Sequence, residues 1–135
     1  MKKFGLSRSE RIRSKNEFDL LYSNGKVVIS ASQKLKAVYF FDKNCNSASC
    51  PYVKVAFAVH RKAGKAVWRN RVKRLLRVSY RLNKESIVNS AKAKNKFLFI
   101  ALSPFSVNSK NYKNISLNDL LPDVIELLNL IGQRI

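Results

Sequence analysis

Acid, histidine and cysteine are all scarce in this sequence, and each shortage removes a class of chemistry. In 135 residues there are 8 Asp plus Glu against 27 Lys plus Arg, with 1 His and 2 Cys. Without clustered acid there is no carboxylate pair for a glycosidase or an aspartic protease, and no ligand set for a nuclease that holds its own metal ions. One imidazole does not make a His-rich metal site. Two cysteines do not make the framework of a small secreted disulfide domain. No apolar run reaches the roughly 18 residues that a membrane span requires. The start, Met1-Lys2-Lys3-Phe4-Gly5-Leu6-Ser7-Arg8, is basic but turns polar before a signal-peptide core develops. The expectation is one soluble, cytoplasmic domain over residues 1–135, with residues 1–10 as a flexible basic tail and no catalytic or metal-binding residues.

Positive charge is abundant, and so is core material. Hydrophobic residues make up 46% of the chain and the formal net charge is +19. Self-repulsion on that scale destabilises a compact domain and favours a polyanionic partner. The charge is also unevenly placed. Residues 61–84 carry Arg61, Lys62, Lys65, Arg69, Arg71, Lys73, Arg74, Arg77, Arg81 and Lys84 with no acidic residue. Residues 1–15 add six more basic residues against Glu10 alone, whereas residues 116–135 hold Asp119, Asp123 and Glu126 with only Arg134. The basic surface therefore belongs to the middle and the start of the chain.

Helical spacing of Phe18, Leu21 and Tyr22 predicts a short helix over Asn16–Ser23, stopped at Asn24-Gly25 by a residue that tolerates positive φ. A weaker strand is expected over Lys26–Ser30. Leu35–Phe41 and the alternating Tyr52–Val59 read as strands of one sheet, joined through an exposed hairpin loop over Asp42–Pro51. Phe97–Leu102 is a continuous apolar run closed by Ser103-Pro104, as for a strand buried on both faces. Leu117, Leu120, Leu121, Val124, Leu127, Leu128 and Ile131 describe a long amphipathic helix, with Pro122 near its start or bending it. Helices packed on a small sheet make an α+β sandwich.

The most informative stretch lies between the strands. On a helix, Asn70, Lys73, Arg74, Arg77 and Arg81 share one arc, with Val72, Leu75, Leu76 and Leu82 on the far side. Guanidinium forks match phosphate oxygens in pairs and stack on bases. Lys62-Ala63-Gly64-Lys65 places two more cations at the helix entrance, where backbone N–H groups favour a phosphate, and Gly64 would let the loop approach a nucleic-acid backbone. Trp68 is expected to anchor packing. Cys45 and Cys50 read as free loop thiols, and His60 has neither a nucleophile nor an acidic orienter beside it. A generic or ribosomal RNA-binding module and a DNA recognition helix share the charge, but helix-turn-helix proteins need a partner helix where this sequence offers a strand.

The run Lys62-Ala63-Gly64-Lys65-Ala66-Val67-Trp68-Arg69-Asn70-Arg71-Val72-Lys73-Arg74-Leu75-Leu76-Arg77 resembles the signature of the bacterial ribonuclease P protein subunit. Arg11-Ile12-Arg13, Glu17-Phe18, Tyr22 and Gly25 upstream, and the strand Val55-Ala56-Phe57-Ala58-Val59, extend the resemblance over Arg8–Leu130. It implies a two-layer sandwich with a four-stranded sheet, αβββαβα order and a left-handed βαβ crossover, of the kind seen in the second domain of a ribosomal protein. It also implies a partner in the catalytic RNA and another in the 5′ leader of precursor tRNA. Hydrolysis would belong to the RNA, which uses Mg²⁺ while the protein alone binds no cofactor; no membrane or DNA is expected. Lys62, Arg69, Asn70, Arg71, Lys73, Arg74 and Arg77 would face RNA, with Lys65 and Arg81 on the same cationic surface. Phe18, Tyr22 and Tyr39 would line a leader cleft between the first helix and the sheet. Residue chemistry agrees, because a single strand is held without sequence preference by bases stacked on aromatic rings in a positive groove.

Overall fold

The computed structural model describes residues 10–12, 15–42, 52–94 and 96–134. Of the tail expected over residues 1–10, residues 1–9 lie outside them, as do the Cys45 and Cys50 thiols, whereas Glu10 is tied to the domain by its ion pair with Lys84. Elements run α1 (Lys15–Asn24), β1 (Lys26–Ile29), β2 (Leu35–Asp42), β3 (Val53–Phe57), α2 (Ala66–Ala93), β4 (Phe97–Pro104) and α3 (Leu117–Arg134), with one 3-10 turn over Arg61–Ala63 before α2. This is the expected αβββαβα order, with bounds shifted by a few residues at most strand ends.

The sheet order is β1-β2-β4-β3. β4 pairs antiparallel with β2, placing Leu35 opposite Pro104, and parallel with β3, placing Val53 opposite Leu98. Strand β4 is thus the inner strand its uninterrupted apolar run implies. Its insertion overturns the hairpin expected between β2 and β3, which share the sheet but do not touch. Residue spacing within β2 and β3 carries no information about which strand lies between them. The parallel β3–β4 pair is joined by α2, the βαβ crossover of the fold. The outer edge of β3 meets the N-terminal segment, where Ile12 N donates to Val55 O at 3.0 Å.

Strand alternation divides the side chains between two faces. Leu35, Ala37 and Tyr39 of β2 join Val53, Val55, Leu98, Ile100 and Leu102 beneath α2 and α3. Val38, Ala56, Phe99 and Ala101 face the other way, under Leu21 and Phe18 of α1. Helix α2 buries Trp68, Val72, Leu76, Ser79 and Tyr80 in its first half and Ile87 and Ala91 in its second. Leu82, placed in the apolar arc from sequence, is 47% exposed. It lies beyond the edge of the buried stripe, about 120° around the helix from Leu76.

Helix α1 stops at Asn24, as expected, but not because its glycine is left-handed, since no described glycine has positive φ. Gly25 is required instead by close approach: an added Cβ would overlap Leu21 O and lie 2.6 Å from Val38 Cγ1. At the far end of the sheet, α3 holds the β1–β2 turn through its carboxylates. Asp123 Oδ2 accepts from Ser30 Oγ at 2.9 Å and Ser32 Oγ at 2.5 Å, and Glu126 Oε2 accepts from Ala31 N at 2.6 Å.

Tyr80 is buried, edge-on to Phe57 with ring centroids 6.1 Å apart. Burial, and secondarily the Glu10 charge, pushes its phenol above the ordinary value of 10.0. The folded chain therefore keeps a proton that an unfolded tyrosine releases, so this residue's contribution to stability is intact below about pH 10 and is lost as pH rises beyond it. Denaturant unfolding compared at about pH 9 and about pH 11 should show a smaller alkaline loss in Tyr80→Phe than in the parent; equal losses would remove Tyr80 as the cause.

Candidate nucleic-acid interface

The basic block forms its surface through the way the chain enters α2. After β3, His60 Nδ1 accepts from Lys62 N at 3.1 Å, which makes the lone histidine a cap for the 3-10 turn. Lys65 then begins α2 without a side-chain cap, and the first turn holds no acid. The N-terminal N–H groups and the partial positive charge of the helix are uncompensated there by any carboxylate of its own first turn. Lys62, Lys65, Asn70, Arg71 and Arg74 are exposed, and Arg69, Lys73, Arg77 and Arg81 are half-buried. All nine residues expected on this surface therefore sit on or beside α2 between its entrance and Arg81.

Two of the signature arginines are oriented by main-chain carbonyls. Arg69 Nε donates to Gly64 O at 3.1 Å, and Arg71 Nε donates to Ile115 O at 2.8 Å. Each guanidinium spends one of five donors on being positioned, leaving its terminal nitrogens for bidentate recognition. Arg77 is embedded more deeply than a solvent-facing arc implies, because its Nε is buried with no protein hydrogen-bond partner. Lys84 lies outside this set: its Nζ pairs with Glu10 Oε1 at 2.8 Å. Gly64 has an internal task, since an added Cβ would stand 2.8 Å from the Trp68 ring and 2.9 Å from Ser109 Cβ. Trp68 is the expected anchor, buried and donating from Nε1 to Tyr112 O at 2.8 Å. A strand and one 3-10 turn precede α2, so the partner helix of a helix-turn-helix is not there.

A second feature occupies the opposite face of the sheet. Helix α1 buries only Leu21. Phe18 and Tyr22 stack in near-parallel planes, 10° apart with centroids at 6.4 Å. Tyr22 is 53% exposed, and partial burial raises its phenol pKa. Beside them the sheet presents its own rings: Phe40 against Phe99 at 6.4 Å and Phe99 against Phe97 at 4.8 Å. Lys54 Nζ and Glu17 Oε2, 2.6 Å apart, link β3 to α1.

Tyr39 does not belong to this cleft. It is 2% exposed in the core beneath α2 and α3, with its hydroxyl 3.5 Å from Arg134 Nη1. Because adjacent strand residues point to opposite faces, the cleft position on β2 is Phe40. The sequence held the signal for Phe40 in Lys36, whose charge between Leu35 and Ala37 marks the parity of the less covered face. Phe97 and Phe99 were hidden in a run that is apolar throughout.

Among the described residues there is no group of three His, Cys, Asp or Glu able to hold a metal ion, and no helix is long and apolar enough to cross a membrane. An α+β domain with an arginine-lined helix on one side of its sheet and a cluster of partly covered aromatic rings, edged by exposed Tyr22, on the other fits a nucleic-acid-binding protein class. The family model described as Ribonuclease P matches residues 6–124, and the chain belongs to the ribonuclease P protein family. A ribonuclease P protein component from Clostridium botulinum (strain Loch Maree / Type A3) is 37% identical over 108 residues, covering 80% of this chain and 86% of the relative. One from Macrococcus caseolyticus (strain JCSC5402) is 28% identical over 130 residues, covering 96% and 99%. The solved RNase P protein from Thermotoga maritima superimposes with a TM-score of 0.64 at 27% identity, covering 92% of this chain and 96% of that one. The Staphylococcus aureus RNase P protein, at 20% identity, shares the fold with a TM-score of 0.63 over 90% and 94% of the two chains. This chain is thus the accessory protein subunit of an endoribonuclease holoenzyme, and its partner is the RNase P RNA.

Proposed function

We propose that the two sides of the sheet divide the work of the subunit. The outer face of α2, with Lys62, Lys65, Arg69, Asn70, Arg71, Lys73, Arg74, Arg77 and Arg81, holds the catalytic RNA. The cleft of Phe18, Tyr22 and Phe40 holds the single-stranded 5′ leader of precursor tRNA in the cytoplasm. The RNA hydrolyses the phosphodiester with its own Mg²⁺, and the protein supplies binding and orientation. The observation that carries this reading is the stacked Phe18–Tyr22 pair, with Tyr22 exposed and Phe18 half-buried, beside a sheet face of further rings. A generic RNA binder needs the cationic helix but not that pair.

Leader removal from precursor tRNA, assayed with catalytic RNA at low magnesium with and without this chain, tests the reading: the chain should raise the rate. The protein alone should leave precursor tRNA intact. Site-specific cleavage that survives nuclease removal of all RNA from the preparation would contradict that. Arg74→Ala should leave the fold intact, because Arg74 is exposed. It should weaken catalytic-RNA binding by about 1 kcal/mol and make the slope of log K against log salt shallower by roughly 0.7 to 0.9, the loss of one phosphate contact. Arg74→Lys should recover the salt slope but only part of the affinity, because the fork is lost.

A further inference from the structure

The basic signature is not the whole cationic surface. Three connections meet at one end of the sheet. The β1–β2 turn and the β4–α3 connection are tied by Phe105 N donating to Lys34 O at 2.8 Å, and the exit of β3 joins them through Ala58 N and Leu102 O at 3.0 Å. From there the β4–α3 connection runs along the entrance of α2 and is fastened to it three times. Ser109 N donates to Ala63 O at 2.8 Å, Trp68 Nε1 to Tyr112 O, and Arg71 Nε to Ile115 O. Lys110 and Lys113, both exposed, are thereby held beside exposed Arg61, Lys62 and Lys65.

The connection is stiff as well as basic. Asn108 Oδ1 accepts from Lys110 N at 2.9 Å and Asn111 N at 3.1 Å, while Asn111 Oδ1 accepts from Asn108 N at 2.8 Å. Val107 and Ile115 plug its two ends into the core, at 2% and 0% exposure. No acidic residue occurs in residues 103–118 or 58–65. The nearby carboxylates of α3 are already engaged: Asp119 Oδ2 accepts from Ser116 N at 2.8 Å, and Asp123 and Glu126 hold the β1–β2 turn. A rigid loop that presents two unshielded ammonium groups next to a cationic helix suits a rigid polyanion, because ordering costs little further entropy on binding.

We infer that the β4–α3 loop is a second RNA-docking arm, in which Lys110 and Lys113 contact backbone phosphates of the catalytic RNA already engaged by α2. The inference rests on the reading of α2 as the face for that RNA. The occupant is the catalytic RNA rather than the leader, because the loop is fastened to α2, whereas the aromatic cleft opens on the α1 side of the sheet.

The test is the paired variant Lys110→Ala/Lys113→Ala, with Arg74→Ala alongside, titrated against catalytic RNA over a range of salt. The expected result is an unchanged melting temperature, roughly tenfold weaker binding near physiological salt, and a salt slope shallower by about 1.5, as for two lost phosphate contacts. Lys110→Arg/Lys113→Arg should keep the parent slope. Parent-like affinity and slope in the folded Ala variant, with Arg74→Ala weakened, would overturn the loop inference alone. If Arg74→Ala also binds like the parent, the reading of α2 fails with it. A loss seen only when the holoenzyme binds precursor tRNA would overturn the choice of occupant.

Discussion

Gly25→Ala should destabilise the chain by about 2–4 kcal/mol, among the larger effects expected of any single methyl group in this fold. The added Cβ would overlap the carbonyl oxygen of Leu21, lie 2.6 Å from Val38 Cγ1 and lie 3.2 Å from Tyr39 O. The first and last are main-chain atoms that no rotamer change can move. The same Leu21 carbonyl accepts from Gly25 N at 2.7 Å, so the contact that closes α1 is the one the methyl would break. Relief requires the last turn of α1 to lift from β2, carrying Tyr22 away from the sheet. Chemical denaturation should show the loss of stability, and precursor binding should fall more than catalytic-RNA binding, because α2 is untouched. A variant as stable as the parent would mean that the α1–β1 junction yields without cost.

Gly25 also shows what can and cannot be read from sequence. Asn24-Gly25 marks the end of α1 because glycine after an amphipathic run commonly does, yet the reason glycine is needed is tertiary: a strand passes within contact of the helix end. The elements whose signal is local are legible. The leucine spacing of α3 and the unbroken apolar run of β4 both predict their state and their burial. The side on which a β2 residue points is harder, since Tyr39, Phe40 and Phe41 are all aromatic and the strand is covered on both faces. The charge of Lys36 is the one mark of parity. Sheet order is not local at all, which is why β2 and β3 look like neighbours until β4 is found between them.

The candidate site divides in the same way. The basic signature is contiguous in sequence, so it is visible as a motif, and its Trp68, Val72 and Leu76 mark the buried side of α2, whereas Val67 within it and Leu82 beyond it are exposed. The aromatic face is assembled from α1, β2 and β4, and only its α1 part, Phe18 and Tyr22, has a sequence spacing to read. The β4–α3 loop carries no motif. Its lysines matter only because hydrogen bonds from Ser109, Trp68 and Arg71 bring it alongside α2.

Tyr22→Leu should lower the ratio of precursor to mature tRNA affinity in the holoenzyme by roughly 1–3 kcal/mol, the worth of one base stacked on an aromatic ring. Tyr22 is the exposed member of the Phe18–Tyr22 stack, and leucine keeps an apolar body and good helix propensity while removing the π face and the hydroxyl. Stability should hardly change, because the buried residue of α1 is Leu21. Mature tRNA, which has no leader, should bind as it does to the parent. The salt slope should stay fixed too, since no phosphate contact is deleted, and this separates the variant from Arg74→Ala, which lowers the slope for the catalytic RNA. Phe40→Leu on the facing strand should move the ratio in the same direction, at some cost in stability because its ring stacks on Phe99. Tyr39→Phe should leave the ratio alone, because that hydroxyl lies on the far side of the sheet. The three variants, measured at one ionic strength with melting temperatures checked, locate the leader by which side of β2 it feels. An effect of Tyr39→Phe with none of Tyr22→Leu or Phe40→Leu would place it on the α2 side and end the assignment of the aromatic cleft.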